Sequence, residues 1–95
     1  MRTRNASEWR DFWRGRGERE LRLLLWAAWD PVGSVPLDEY DAYAPRIASL
    51  LASRASREAL AAELDRIRVH ELGLGADLQR DLAAAGKIAD WFEAA

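Results

Sequence analysis

Cysteine is absent from this 95-residue chain, and histidine and lysine occur once each, at His70 and Lys87. Without cysteine there can be no disulfide, no thiolate metal site and no thiol nucleophile. The same absence fits a cytosolic setting, and a cytoplasmic location is the expectation. With a single histidine, a zinc site would have to be built mostly from carboxylates, an uncommon ligand set. Long hydrophobic runs are missing as well. The longest, LLLWAAW from Leu23 to Trp29, is far short of the roughly 20 residues that span a bilayer. No apolar stretch directly follows the basic N-terminus, so no secretory signal is expected. Nowhere do apolar and polar residues alternate in β-branched company, which argues against strands. No glycine-rich phosphate loop is present either. GRG at 15–17 and GLG at 73–75 read as helix ends, because neither opens a strand-to-helix unit.

What remains is helical. Apolar residues make up 49% of the chain, too many for a disordered segment. Ala, Leu, Arg and Glu, all strong helix formers, dominate. A chain this short buries a modest core, with stability of about 5–10 kcal/mol. The pattern predicts an all-α single domain over 1–95, a small bundle of four to five short helices. Residues 1–17 read as an arginine- and aromatic-rich extension, and 18–95 as the core.

Local signals place the helices. Asn5 and Glu8 have the spacing of a capping box, and Trp9, Phe12 and Trp13 then share one face. Gly15 and Gly17 are expected to end this helix. A second runs from about Glu18 to Trp29, apolar around most of its surface and stopped by Asp30-Pro31. After the loop PVGSVP, Asp38 reads as an N-cap with Asp41 at N3. Tyr40, Tyr43, Ile47, Leu50 and Leu51 keep helical phase past Pro45. Either one kinked helix or a short turn followed by a helix with Pro45 in its first turn satisfies this. Ser56 caps the next helix, where Leu60, Leu64, Ile67 and Glu71 share a face. Asp77 caps the last, with a stripe of Leu78, Leu82, Ala85, Ala89 and Phe92. Gly86, inside that helix, either weakens it or admits a close neighbour.

Charge is uneven although the net is only −2. Residues 1–22 carry seven Arg against four acids, while residues 23–51 carry one Arg against four acids. The first segment could neutralise phosphates and stack bases. Its aromatics, however, have the spacing of a packed face, and a pI of 5.4 disfavours nucleic acid as the main partner. The second segment holds Asp30, Asp38, Glu39 and Asp41 among Trp29, Tyr40 and Tyr43. Its bland reading is structural, since Asp favours caps and turns. Its sharper reading is a docking face, with aromatic anchors inside a carboxylate rim that steers a basic partner. It lacks the alternate-position oxygens of a calcium loop. His70, near a helix C-terminus, reads as structural or surface, and no serine lies in a nucleophile elbow.

The segments WDPVG…VPLDEYDAYAPRIASLL and AS…LAAELDRIRVHELGL resemble a family of small all-helical bacterial proteins of unknown function marked by a WDPIGV…DEYD signature. The resemblance covers roughly Leu21 to Leu74. It implies an all-α fold and a soluble, cytosolic bacterial protein, and it carries no catalytic residue. For some relatives it suggests an immunity role beside secreted toxins.

The expectation is therefore a non-catalytic protein–protein interaction module without cofactor or metal. Its partner-binding residues would be Trp29, Asp30, Asp38, Glu39, Tyr40, Asp41 and Tyr43. The partner would be another protein with a basic surface, and five tryptophans also make a homodimer compatible. The alternative is a nucleic-acid-binding or regulatory protein using the arginine-rich N-terminus.

Overall fold

The computed structural model describes residues 5–95. Arg2 and Arg4 of the arginine-rich stretch lie outside them. The described residues form an all-α bundle of four helical rods and no strand, as the composition predicts.

The first rod is the longest. It runs without a break through α1 (Ala6–Phe12), a π-helical turn (Trp13–Gly17), α2 (Glu18–Leu24) and a second π-helical turn (Leu25–Trp29). Asn5 and Glu8 close the expected capping box, with the Asn5 side chain accepting from the Glu8 N–H at 2.8 Å. The glycines do not end this helix, which corrects the sequence expectation. Gly17 keeps right-handed helical angles, φ −60° and ψ −47°. Its role is steric, because a Cβ there would lie 2.5 Å from the Phe12 ring.

The π turns also explain which face is buried. Gly17, Leu21, Leu25 and Trp29 are all buried at a spacing of four. That spacing drifts around a pure α-helix of about 3.6 residues per turn. The wider i→i+5 turns offset the drift and keep all four on one line. The rod then stops at Asp30, which adopts a left-handed conformation (φ 34°) before Pro31.

The connection to α3 (Ala44–Ala52) is the turn-then-helix option, with Pro45 in the first turn of α3. Asp38 and Asp41 do not cap it. A turn closes through main-chain bonds, Glu39 N–H to Pro36 O (3.1 Å) and Asp41 N–H to Asp38 O (3.2 Å). A 3₁₀ turn, Asp41–Tyr43, follows with no side-chain cap. The bonding has moved to the backbone, so the Asp38 carboxylate is left to solvent.

Ser56 caps α4 (Arg57–Arg66) through the Ala59 N–H at 3.0 Å, and a third π turn, Ile67–Glu71, extends it. Glu71, placed by phase with Leu60, Leu64 and Ile67, instead lies outside, with Oε1 2.7 Å from Arg46 Nη2 of α3. Asp77 caps α5 (Leu78–Ala94) through the Arg80 N–H at 3.1 Å.

The apolar stripe of α5 is rotated from expectation. Leu78 is 62% exposed and Leu82, Ala89 and Phe92 are half-buried, whereas Asp81, Ala84, Ala85, Gly86 and Ile88 are buried. The small residues win because α4 packs against α5 more extensively than any other pair, and alanine lets two helices approach closely. The core gathers Leu21, Leu25 and Trp29 from the first rod, Ile47 and Leu51 from α3, Leu60, Leu64 and Ile67 from the α4 rod, and Ile88 from α5.

Candidate functional site

The WDPVG…DEYD stretch divides into a buried half and an exposed half. In the buried half, Trp29 is 1% exposed and Tyr40 fully buried, so neither is available as an exposed docking anchor. This corrects the sequence expectation for both. Their rings lie 5.4 Å apart, and Tyr43, half-buried, meets Trp29 edge-on at 6.4 Å. The Arg46 guanidinium lies 5.5 Å from the Tyr43 ring centroid. The three aromatics knit the chain reversal to the core.

Asp30 organises the loop. Its Oδ1 accepts from the Tyr40 hydroxyl at 2.7 Å and from the Gly33 N–H at 3.1 Å, and the Tyr40 oxygen accepts in turn from the Val32 N–H at 3.1 Å. The Trp26 indole N–H donates to Val35 O at 3.0 Å. Gly33 (φ 83°) and Ser34 (φ 55°) supply the left-handed angles of the turn. Burial, and then the bond to Asp30, hold the Tyr40 phenol above its ordinary pKa. The structural reading of the acid cluster therefore holds for Asp30, whose carboxylate accepts from the Gly33 N–H and the Tyr40 hydroxyl.

Beneath the loop lies a polar network that sequence reasoning missed. Arg68 and Asp81 form a buried ion pair, with Nη2 to Oδ1 at 2.8 Å and Nε to the two carboxylate oxygens at 3.2 and 3.3 Å. The Trp29 indole N–H donates to the same Asp81 Oδ1 at 2.9 Å. Arg80 then caps the end of the first rod, its Nη2 donating to Trp29 O (3.2 Å) and Asp30 O (3.1 Å). A signal for the pair existed. Asp81 is in helical phase with Ala84, Ala85 and Ile88, and Arg68 is in phase with Leu64. Opposite charges on the apolar faces of two consecutive helices pair when those faces meet.

The exposed half is Leu37, Asp38 and Glu39, with Asp41 half-buried. Leu37 is 55% exposed and Leu23, on the first rod, 46%. Both line one open cleft together with Asp38, Asp41, Glu18, Arg19 and Arg22. Arg22 pairs with Glu18 and, at 3.8 Å, with Asp41. Among the described residues no ion pair engages Asp38 or Glu39. The structure therefore brings Asp38 and Asp41 together with two exposed leucines, and separates them from Trp29, Asp30 and Tyr40, which work inside.

The N-terminal aromatics are engaged too. Trp9 stacks on Trp13 (6.0 Å) and meets Phe92 edge-on (5.4 Å), and Phe12 lies 5.8 Å from Trp91. The Trp91 indole N–H donates to Glu20 Oε1 at 2.8 Å, which is the main reason the Glu20 carboxyl is held below its ordinary pKa. His70 is exposed at a helix end. No group of His, Asp and Glu among the described residues is arranged to hold a metal ion, and no described helix is long and apolar enough to cross a membrane.

No protein-family model, curated protein or solved structure matches this chain significantly.

Proposed function

We propose that the protein is a non-catalytic protein-binding module whose docking face is the cleft edge formed by Leu23, Leu37, Asp38, Glu39 and Asp41. The observation that carries the reading is the meeting of two exposed leucines with Asp38 and Glu39, which no ion pair among the described residues engages, while Asp41 beside them faces Arg22 at 3.8 Å. Exposed leucines that share a cleft are candidates for burial by a partner, and unpaired acids at its rim favour a partner with basic groups opposite them. The buried network under the loop supports this reading in another way, because it fixes the backbone that presents Leu37 to Asp41. The kinship suggested by the WDPVG…DEYD pattern is part of the proposal, and an immunity-type role would be one instance of such binding. The N-terminal arginines favour the nucleic-acid alternative less, since Trp9, Phe12 and Trp13 pack against neighbouring rings and are not presented for stacking on bases.

The test is capture of partners from the protein's own cells with the tagged chain, its Leu37→Arg variant and its Asp38→Lys/Glu39→Lys variant, each with and without nuclease. All three positions are exposed, so stability should change by less than about 0.5 kcal/mol. A stoichiometric protein that survives nuclease and is lost with either variant supports the reading. Retention of that protein by both variants, or its removal by nuclease, defeats it.

A further inference from the structure

The cleft that carries the proposed docking face holds a second set of charges. Arg14 and Arg19 of the first rod line it together with Leu23, Leu37 and Asp38. Both arginines are exposed, and neither stands in an ion pair among the described residues, as is also true of Asp38 and Glu39. The acids that flank Arg19 in the chain are occupied elsewhere: Glu18 pairs with Arg22, and Glu20 is held by Arg16 and the Trp91 indole. The two unpaired sets lie at opposite ends of one bare face. Gly15, Arg19 and Leu23 are exposed at a spacing of four along it. Arg14 precedes Leu23 by about 13 Å of rod, at a rise of roughly 1.5 Å per residue. The turn that carries Leu37 and Asp38 meets the rod toward the Leu23 end, where Arg22 reaches Asp41 at 3.8 Å. The face thus runs from cations, past exposed leucines, to carboxylates.

We propose that this face binds a second copy of the same chain as a two-fold dimer. The inference rests on the docking face proposed above and names its partner. A two-fold interface sets one patch against the same patch of its copy, so the patch must be self-complementary. Here it is. With the first rods antiparallel, Arg14 and Arg19 of each copy meet Asp38 and Glu39 of the other, and the leucines of both copies pack between the two sets of charge pairs. A head-to-tail contact would join the charges once and leave one set of each sign bare, so the charge pattern favours the closed pair. Gly15 puts no side chain between the rods. The basic groups that Asp38 and Glu39 call for are therefore supplied by the chain itself.

The test is sedimentation velocity of the full chain from about 10 µM to about 1 mM, the span over which a weak complex is read. The mass should rise from one chain of 10.7 kDa toward two. Arg14→Glu/Arg19→Glu and Asp38→Lys/Glu39→Lys each set like charges opposite one another, and each alone should weaken self-association at least about tenfold. An equimolar mixture of the two should return to within about threefold of the wild type, because every reversed charge then meets its opposite. All four positions are exposed and outside any ion pair of the described residues, so both variants should stay folded by circular dichroism. If either double variant unfolds, Arg19→Glu and Asp38→Lys alone carry the same mixing test. The proposal is overturned by a chain that stays monomeric at about 1 mM, by reversed variants that associate like the wild type, or by a mixture that does no better than its components. A monomeric chain whose captured cell protein is still lost with Leu37→Arg overturns the dimer and leaves the docking face standing. A captured protein that both docking variants retain defeats the face itself.

Discussion

Two regions of this molecule hold the first rod in place by different means. At its C-terminal end, Trp29 and Asp30 are tied by directional bonds to Tyr40, Gly33, Asp81 and Arg80, the Asp81 bond buried and most of the others partly so. Toward its N-terminal end, Trp9 and Phe12 rest against Trp91 and Phe92 mainly through ring contacts, with Trp13 stacked on Trp9 and one hydrogen bond from Trp91 to Glu20, all half-buried and with arginines at the surface. The first kind of anchoring specifies one geometry, and losing one partner leaves an unsatisfied group. The second kind tolerates small shifts and is lost in proportion to area. The same contrast shows why the bonded loop, and not the ring cluster, presents a fixed surface.

The sharpest break in that comparison is Asp81→Ala. Removing the carboxylate strands the Arg68 guanidinium and the Trp29 indole in the core, and breaking a buried pair costs about 3–5 kcal/mol. That is much of the total expected for a domain of this size. Urea unfolding should show a collapsed midpoint or a chain largely unfolded in buffer. At the other end, Trp9→Ala removes a half-buried ring and should cost about 2 kcal/mol, below the roughly 3–5 kcal/mol of a fully buried aromatic. An equal loss at both sites would erase the distinction drawn between them.

Tyr40→Phe is a finer probe of the bonded end. It keeps the ring and removes only the hydroxyl shared by Asp30 and Val32, at a cost of about 1–2 kcal/mol in thermal or urea unfolding. It also has a pH signature. The folded pKa of Tyr40 lies above its unfolded value of about 10, so the folded state holds its proton more tightly. That contribution is fully present below the unfolded pKa and is lost as pH rises from there through the folded pKa. The wild-type chain should therefore lose stability on that alkaline limb more steeply than Tyr40→Phe. Parallel slopes in the two proteins would show that the hydroxyl carries no such linkage.

Much of this fold was legible because its signals are local. Asn5, Ser56 and Asp77 cap their helices as their positions suggest, since a cap needs only a side chain and an N–H two or three residues on. The break at Asp30-Pro31 was equally readable from proline sterics. Gly17 misled because a glycine that ends a helix and one that makes room for a ring have the same sequence signature. Asp38 misled because a cap residue competes with main-chain turns that no short pattern reveals. Of the expected docking residues, Asp38, Glu39 and Asp41 remain at or near the surface, and Trp29, Asp30 and Tyr40 form the support beneath.

The sequence by itself determined that the chain is helical, where most helices start, and that no cysteine chemistry is open to it, because these follow from residue types and near-neighbour spacing. Only the tertiary structure decided that Trp29 and Tyr40 turn inward, that α5 buries its alanines in preference to its leucines, and that Arg68 meets Asp81. Those outcomes depend on which helix faces press together, and the pairing of faces is a property of the whole chain.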